Sequence, residues 1–230
     1  MNVMQEKLAF LLDKYSVEAK ATLLNRDVVA VDGAETPLLS HCLERRFIEL
    51  KNMVLNNTLS GVSVMRVARI IHKGADINVA LYREFDLCQW ILGEIICQVT
   101  AFQNGNVLNV IATTKSGIVC TIEISATLAD DMEPIDKHEI IAEHGIGCDV
   151  VVDAQLKQDS VYVFGDTKQK FTDVDFELYG LSIEDIAIVR SAFSLAQKKN
   201  GAEHIEADCY LNKLVAAAEK SAERCERVVL

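Results

Sequence analysis

The histidines and cysteines near position 140 are the residues with the most obvious capacity to bind a metal. His138, His144 and Cys148 are all of types that bind zinc, and they lie close together in the sequence. A strand over residues 138–144 would hold its two histidines roughly 20 Å apart, at about 3.3 Å per residue. A single zinc ion binds ligands only at about 2.0–2.3 Å. The sequence therefore predicts no metal site here.

The Gly-x-Gly sequence at Gly145–Gly147 is the next candidate, for binding a nucleotide cofactor. A dinucleotide site needs Gly-x-Gly-x-x-Gly directly after a strand and at the start of a helix, so that the phosphates meet the helix N-terminus. Val150 stands where the third glycine belongs, and Val150–Val152 favours a strand. We interpret the glycines as a hairpin turn and predict that the chain binds no cofactor on its own.

A predicted helix over residues 76–92 carries the most informative polar side chains. Its apolar stripe places Arg83 and Glu84 close to the packed face, beside Tyr82 and Phe85. Two interpretations stay open: a partly exposed helix with salt bridges, or polar groups at the edge of a ligand cleft. On the second interpretation, the ligand-binding candidates are Arg83, Tyr82 and Lys73.

The elements around this helix predict an α+β fold. Helices are expected over residues 38–57, 183–196 and 211–225, and strands over 62–71, 95–102, 107–114, 118–125, 138–144, 148–156, 160–165 and 168–172. Short turns between the strands imply a largely antiparallel or mixed open sheet, covered on one face by helices. Residues 1–37 are predicted to be a helical and short-strand segment packed on a domain formed by residues 38–230.

Composition excludes several classes of function. The 230 residues include 23 Lys and Arg against 34 Asp and Glu, so the formal net charge of −11 disfavours nucleic acid as a partner. Seven cysteines, an odd and dispersed number, are typical of a reduced protein. The sequence has no apolar run of about 18 residues, so we expect no membrane span. The expected location is the cytoplasm.

Several motifs in order resemble the glucose–fructose oxidoreductase / inositol dehydrogenase (Gfo/Idh/MocA) family. Asp86-Leu87 and Trp90–Glu94 resemble the end of its "H-x-x-D-L-x-x-W-L-L-G-E" helix, and Leu59–Gly61 resembles its "SG-x-LG" ending. His138–Ile140 and Gly145–Gly147 resemble its "H-x-I-x-x-x-G-x-x-G" strands. The final helices and short last strand also match, so the resemblance covers roughly residues 40 to 230. It implies the C-terminal domain of this family, without the N-terminal Rossmann domain.

The catalytic signatures of that family are not kept. Its Asp-x-x-x-His pair falls on Val79 and Arg83. Valine cannot accept a proton and arginine stays charged, so neither can serve as a general acid or base. Its Glu-Lys-Pro motif is matched only in part by Glu6-Lys7-Leu8, where leucine replaces the proline. The sequence therefore predicts no catalytic residues.

The resemblance implies two functions. The first is a non-catalytic binding or scaffold protein with a residual cleft for a sugar, polyol or sugar acid, which is not an enzyme on its own. We expect it to form a homodimer or tetramer through its open sheet face. The alternative is the substrate-domain subunit of a split oxidoreductase, in which a separate Rossmann-domain partner supplies NAD or NADP.

Overall fold

The computed structural model describes residues 2–149, 160–164, 168–172 and 177–230. Its helices are α1 (Asn2–Lys14), α2 (Arg45–Leu55), α3 (Ile77–Leu92), α4 (Ile183–Lys198) and α5 (Gly201–Arg224), with a 3₁₀ turn at Ser40–Leu43. Its first six strands are β1 (Ala21–Leu23), β2 (Val28–Val31), β3 (Ala34–Pro37), β4 (Val62–His72), β5 (Ile96–Asn104) and β6 (Val107–Thr114). The others are β7 (Val119–Leu128), β8 (Ile135–Ala142), β9 (Gly145–Cys148), β10 (Ser160–Phe164), β11 (Lys168–Thr172) and β12 (Val228–Val229).

The described residues form two compact units. Residues 2–44 and 177–210 make the first, and the described parts of 45–172 together with 211–230 make the second. The predicted division between residues 37 and 38 stays a prediction. None of the helices in the described part of the chain is both long enough and apolar enough to cross a membrane.

The first unit contains a small antiparallel sheet in the order β1-β2-β3. Its core includes Leu8 and Leu11 of α1, Val29 of β2, and Val189 of α4. Helix α4 begins where predicted, because the Ser182 side chain accepts a hydrogen bond from the backbone N–H of Asp185 and so caps the helix.

The second unit contains a nine-stranded sheet in the order β11-β10-β9-β8-β4-β7-β6-β5-β12. Strands β4 and β7 run parallel, and every other neighbouring pair is antiparallel. The α+β fold class with a largely antiparallel open sheet is therefore confirmed.

The two faces of this sheet differ because side chains alternate along each strand. One face buries Met65 and Val67 of β4 and Cys120 and Ile122 of β7, and α3 packs against both strands. The residues at the intervening positions of these strands point to the other face, where their side chains are partly exposed. One row of these runs through Ile111, Thr121, Arg66 and Glu139 on the adjacent strands β6, β7, β4 and β8. We call this second surface the open face.

Two sequence predictions about local structure need correction. Gly145–Gly147 is not a hairpin turn: it lies in strand β9, and the turn is at residues 143–144. The glycine at 147 meets a packing need instead, because an added Cβ there would lie 2.7 Å from Cδ1 of Leu59. The helix expected over 38–57 is broken at Glu44, whose backbone is extended, so α2 begins only at Arg45.

The strand expected over 148–156 is only partly described. Residue 148 ends β9, and residues 150–156 lie outside the described residues.

Candidate functional site

Seven charged side chains meet in the second unit, and we call them the charge cluster. They come from helix α2 (Arg46), strand β4 (Arg69), helix α3 (Arg83 and Glu84), strand β8 (Asp136 and His138) and the residue after β9 (Asp149). The side chains of Glu84, His138 and Asp149 are fully buried. Charged groups are almost never buried unless they are paired.

Strand pairing explains how the cluster forms. Strand β8 runs antiparallel to β4 in a register that places Asp136 opposite Arg69. Strand β9 then turns back along β8, with Cys148 opposite Glu139, so that the next residue, Asp149, reaches His138. On the helix side, Asp76 caps α3 through the N–H of Asn78 and so fixes where the helix begins.

His138 is held between two carboxylates. Its Nδ1 lies 2.7 Å from Oδ2 of Asp149, and its Nε2 lies 2.8 Å from Oε2 of Glu84. Both ring nitrogens can donate only in the imidazolium form, and that form satisfies both carboxylates. Burial by itself would lower the pKa of His138, but the negative charges of Asp149 and Glu84 outweigh it and raise the pKa to about 9. The ring is therefore charged at neutral pH.

Asp136 forms ion pairs with three arginines. Arg46 binds both of its oxygens, at 2.6 Å from Nη1 and 2.9 Å from Nη2. Arg69 and Arg83 each approach its Oδ2 at 3.2 Å. Burial would raise the pKa of Asp136, but the charge of Arg46, followed by that of Arg83, holds it well below its ordinary value. The carboxylate is therefore ionised throughout the neutral range.

Glu84 is the acid that joins the cluster to helix α3. Nη1 of Arg83 donates to its Oε1 at 2.6 Å, and Nη1 of Arg69 donates to the same oxygen at 3.2 Å. Burial would raise the pKa of Glu84, yet Arg83 and then His138 lower it below its ordinary value. This carboxylate is therefore also ionised at neutral pH.

Phe47 forms the apolar support of these groups. The edge-to-face contact between its ring and His138 has a centroid distance of 4.7 Å. The guanidinium carbons of Arg46 and Arg83 lie 4.3 Å and 5.4 Å from the centre of the same ring. Such cation–π contacts hold charged groups in place when they are shielded from water.

The protonation states of the cluster disfavour acid–base catalysis. A general base must be neutral or anionic and have room to accept a proton. His138 is cationic with both nitrogens engaged, and Glu84 has both oxygens engaged by cations. These two side chains thus stabilise charge and connect elements of the fold, and neither is poised to move a proton.

The same groups are poorly suited to a metal ion. Ligand atoms of Asp136, His138 and Asp149 lie within 4.8 Å of one another, which is close enough to share one cation. However, Nη1 of Arg46 already donates to both aspartates, at 2.6 Å and 3.1 Å. A metal ligand must be neutral or anionic, whereas His138 is protonated here.

The predicted site residues are distributed as follows. Arg83 lies in the charge cluster with its side chain 15% exposed. Tyr82 is half-buried on α3, Lys73 is exposed after β4, and Val79 is 67% exposed. The ion pairs of Arg83 agree with the salt-bridged interpretation of the helix; ligand binding by Arg83, Tyr82 and Lys73 stays a prediction.

The other residues of interest lie apart from one another. His144 is exposed in the turn after β8, whereas His138 is buried. Cys148 is buried on β9. Lys7, in the partial match to the Glu-Lys-Pro motif, belongs to the first unit. Its Nζ donates there to the backbone carbonyl of Glu177 at 3.4 Å.

Sequence reasoning missed most of the charge cluster, although one signal was present. Arg69 follows the buried Met65 and Val67 at two-residue steps along β4, so it lies on the same face as they do. His138 lies two residues before the buried Ile140 on β8. A charged residue at a position that alternation assigns to the buried face requires a partner of opposite charge. The partners themselves are distant in sequence, so their identity was not readable.

Solved structures share this fold. An oxidoreductase from Agrobacterium radiobacter in complex with NAD+, L-tartaric acid and magnesium matches with a TM-score of 0.66 at 14% identity, over 83% of this chain and 63% of that one. An inositol dehydrogenase homologue from Azotobacter vinelandii, complexed with NADH and myo-inositol, has a TM-score of 0.63 at 10% identity, over 84% and 63%. An oxidoreductase domain protein from Kribbella flavida has a TM-score of 0.66 at 11% identity, over 83% and 64%.

These neighbours confirm the predicted resemblance at the level of the fold. They are oxidoreductases of the Gfo/Idh/MocA type, and this chain spans less than two thirds of their length. No family model matches the sequence, and no curated protein matches it. At identities this low, the likeness establishes an oxidoreductase-like fold and does not extend to activity or ligands.

Proposed function

We propose that this chain is a non-catalytic, self-assembling binding or scaffold protein built on an oxidoreductase-like domain, with a cleft for a sugar, polyol or sugar acid. The observation that carries this proposal is the state of Arg83, which stands where the family resemblance expects a catalytic histidine. Its guanidinium is held by Glu84 and Asp136. It supports the buried cluster, and a permanently charged group of this kind transfers no proton.

Self-assembly through the open face is supported by its chemistry. A small groove of about 100 Å³ near its centre is lined by two cationic and two anionic side chains, Arg66, Lys137, Glu123 and Glu139. Around it lie exposed apolar residues, including Phe102 at 54% and Ile111 at 43%. In a twofold-symmetric dimer this patch faces its own copy. Equal numbers of positive and negative groups allow each charge to meet an opposite one there, which suits an isologous contact.

Ligand screening by thermal shift tests which ligands and cofactors the chain binds on its own. We expect stabilisation by at least one of D-gluconate, D-glucose and myo-inositol, and none by NAD or NADP. Ligand at a hundred times its dissociation constant adds roughly 2.7 kcal/mol, which corresponds to a shift of several degrees in a protein of this size. Stabilisation by either nicotinamide nucleotide would overturn the proposal.

A second candidate is the substrate-domain subunit of a split oxidoreductase. It is favoured by the share of each neighbour that this chain spans, 63% to 64%, which leaves about one domain unaccounted for. In this case a separate chain supplies NAD or NADP together with the catalytic groups. Affinity purification from the native cell would then recover a stoichiometric nucleotide-binding partner. Recovery of this chain alone would count against the split enzyme and leave the first proposal standing.

A further inference from the structure

We propose that the solvent side of the charge cluster, at Arg69, is a binding site for the carboxylate group of a small organic acid. This inference rests on the proposed binding function and deepens it, because it selects sugar acids over neutral sugars and polyols. It shifts the expected anchor from Arg83 to a residue on strand β4.

The hydrogen bonds of Arg69 leave one edge of its guanidinium unused. Its Nη1 donates to both Glu84 and Asp136, each at 3.2 Å. Its Nε is buried and has no hydrogen-bond partner among the residues that the structure describes. Nε and the adjacent Nη2 together form the side-on edge of a guanidinium, where two parallel N–H groups match the two oxygens of a carboxylate. A buried N–H without a partner is costly, so a ligand oxygen there removes an existing penalty.

Counted over its seven described side chains alone, the charge cluster also carries one positive charge in excess. Arg46, Arg69, Arg83 and the imidazolium of His138 contribute four positive charges, and Glu84, Asp136 and Asp149 contribute three negative charges. The protonation of His138 follows from the contact of each ring nitrogen with a carboxylate. Burial, and then the charge of Arg83, lower the pKa of Arg69. A bound monoanion would balance the charges of these seven side chains.

The arrangement of exposure places this excess charge within reach of a ligand. The side chains of Arg69 and Arg83 are the most exposed of the cluster, at 18% and 15%, whereas those of Glu84, His138 and Asp149 are fully buried. The solvent side of the cluster thus carries two arginines together with the 10% exposed carboxylate of Asp136 that both of them contact. One excess charge and one planar fork suit a carboxylate better than a phosphate, which carries more charge and a tetrahedral set of oxygens.

Titration calorimetry with sodium gluconate tests the site, with D-glucose as the neutral control and sodium chloride used to keep the ionic strength equal. We expect the full chain to bind gluconate and to bind glucose more weakly. Arg69→Lys keeps the charge but removes the side-on fork, so it should weaken gluconate binding roughly tenfold. Arg66 lies on the same strand but points to the open face, so Arg66→Lys should leave the affinity for gluconate unchanged. The unliganded melting temperature of each variant checks that it is folded.

Nitrogen-15 NMR of the wild-type chain provides a test that needs no variant. Gluconate should move one arginine Nε–H resonance downfield, as expected when that N–H gains a carboxylate acceptor, and glucose should not. Equal binding of gluconate and glucose, no change in any arginine Nε–H signal, or unchanged affinity in a folded Arg69→Lys variant would each overturn this inference. Glucose binding without a preference for gluconate would leave the proposed function intact. Tighter binding of inorganic phosphate at equal ionic strength would overturn the assignment to a carboxylate.

Discussion

His138 and Asp149 are joined by two hydrogen bonds of 2.7 Å, one from the backbone N–H of His138 to Oδ1 and one between the ring Nδ1 and Oδ2. The pair fixes the residue that follows β9 to strand β8. Through its other nitrogen, the same ring contacts Glu84 on α3. One imidazolium therefore links a strand, the end of its hairpin partner and the helix that packs on the sheet.

Stability should fall as the pH rises through the pKa of His138. The folded-state pKa of about 9 lies above the ordinary value of 6.5, so the protonated ring stabilises the fold fully below about pH 6.5 and loses this contribution by about pH 9. At about 1.4 kcal/mol per unit, the expected loss in unfolding free energy is a few kcal/mol. Urea unfolding of wild type and His138→Gln across this range measures it.

The matched control for that titration is His144→Gln, since the His144 side chain is 67% exposed. It should keep the pH dependence of the wild type, whereas His138→Gln should flatten the curve. Parallel curves for wild type and His138→Gln would show that this ring does not titrate as the structure requires.

Replacement of Glu84 should be severely destabilising. Glu84→Gln leaves the His138 imidazolium and Arg83 facing a neutral group inside the protein, and breaking a buried pair in this way costs about 3–5 kcal/mol. Glu139→Gln is the comparison, because Glu139 pairs with Lys137 and Arg66 on the open face and its loss should cost at most about 1 kcal/mol. Chemical denaturation gives both values. Similar losses in the two variants would argue against a coupled cluster.

The glycine at position 147 should not tolerate a side chain. An added Cβ would lie 2.7 Å from Cδ1 of Leu59 and 3.4 Å from Sδ of Met53, so Gly147→Ala should lower the unfolding free energy by about 1–3 kcal/mol. Leu59→Ala removes the clashing atom at the cost of a cavity. The double variant should therefore be more stable than the sum of the two single losses predicts. Simple additivity of the two losses would be inconsistent with this contact.

Assembly through the open face should be sensitive to one added charge. Ile111→Lys places an ammonium group among the apolar residues of that face, so light scattering should show dissociation toward the 25.5 kDa single chain. Ile205→Lys is a control in the first unit, where the isoleucine is 47% exposed, and it should leave the mass of the assembly unchanged. A wild-type protein that is already monomeric at micromolar concentration would refute self-assembly.

Much of the fold could be predicted from local patterns. The stripe of apolar residues predicted α3 almost to the residue, and the alternation in β7 predicted a strand. These patterns are readable because periods of 3.6 and 2 are local properties of the backbone. The glycine at 147 was misassigned because glycine is required for close packing as well as for turns, and only the packing of Met53 and Leu59 against it distinguishes the two.

The sequence by itself determined the fold class, the elements and the family likeness, including the replacement of the expected catalytic pair by Val79 and Arg83. Only the tertiary structure decided that Arg83 is joined by Arg46, Arg69 and His138 in one buried cluster with Glu84 and the two aspartates. The partners Arg46 and Asp149 are separated by 103 positions. Strand register and helix packing set such long-range pairings, whereas alternation shows only that a charge is buried and needs a partner.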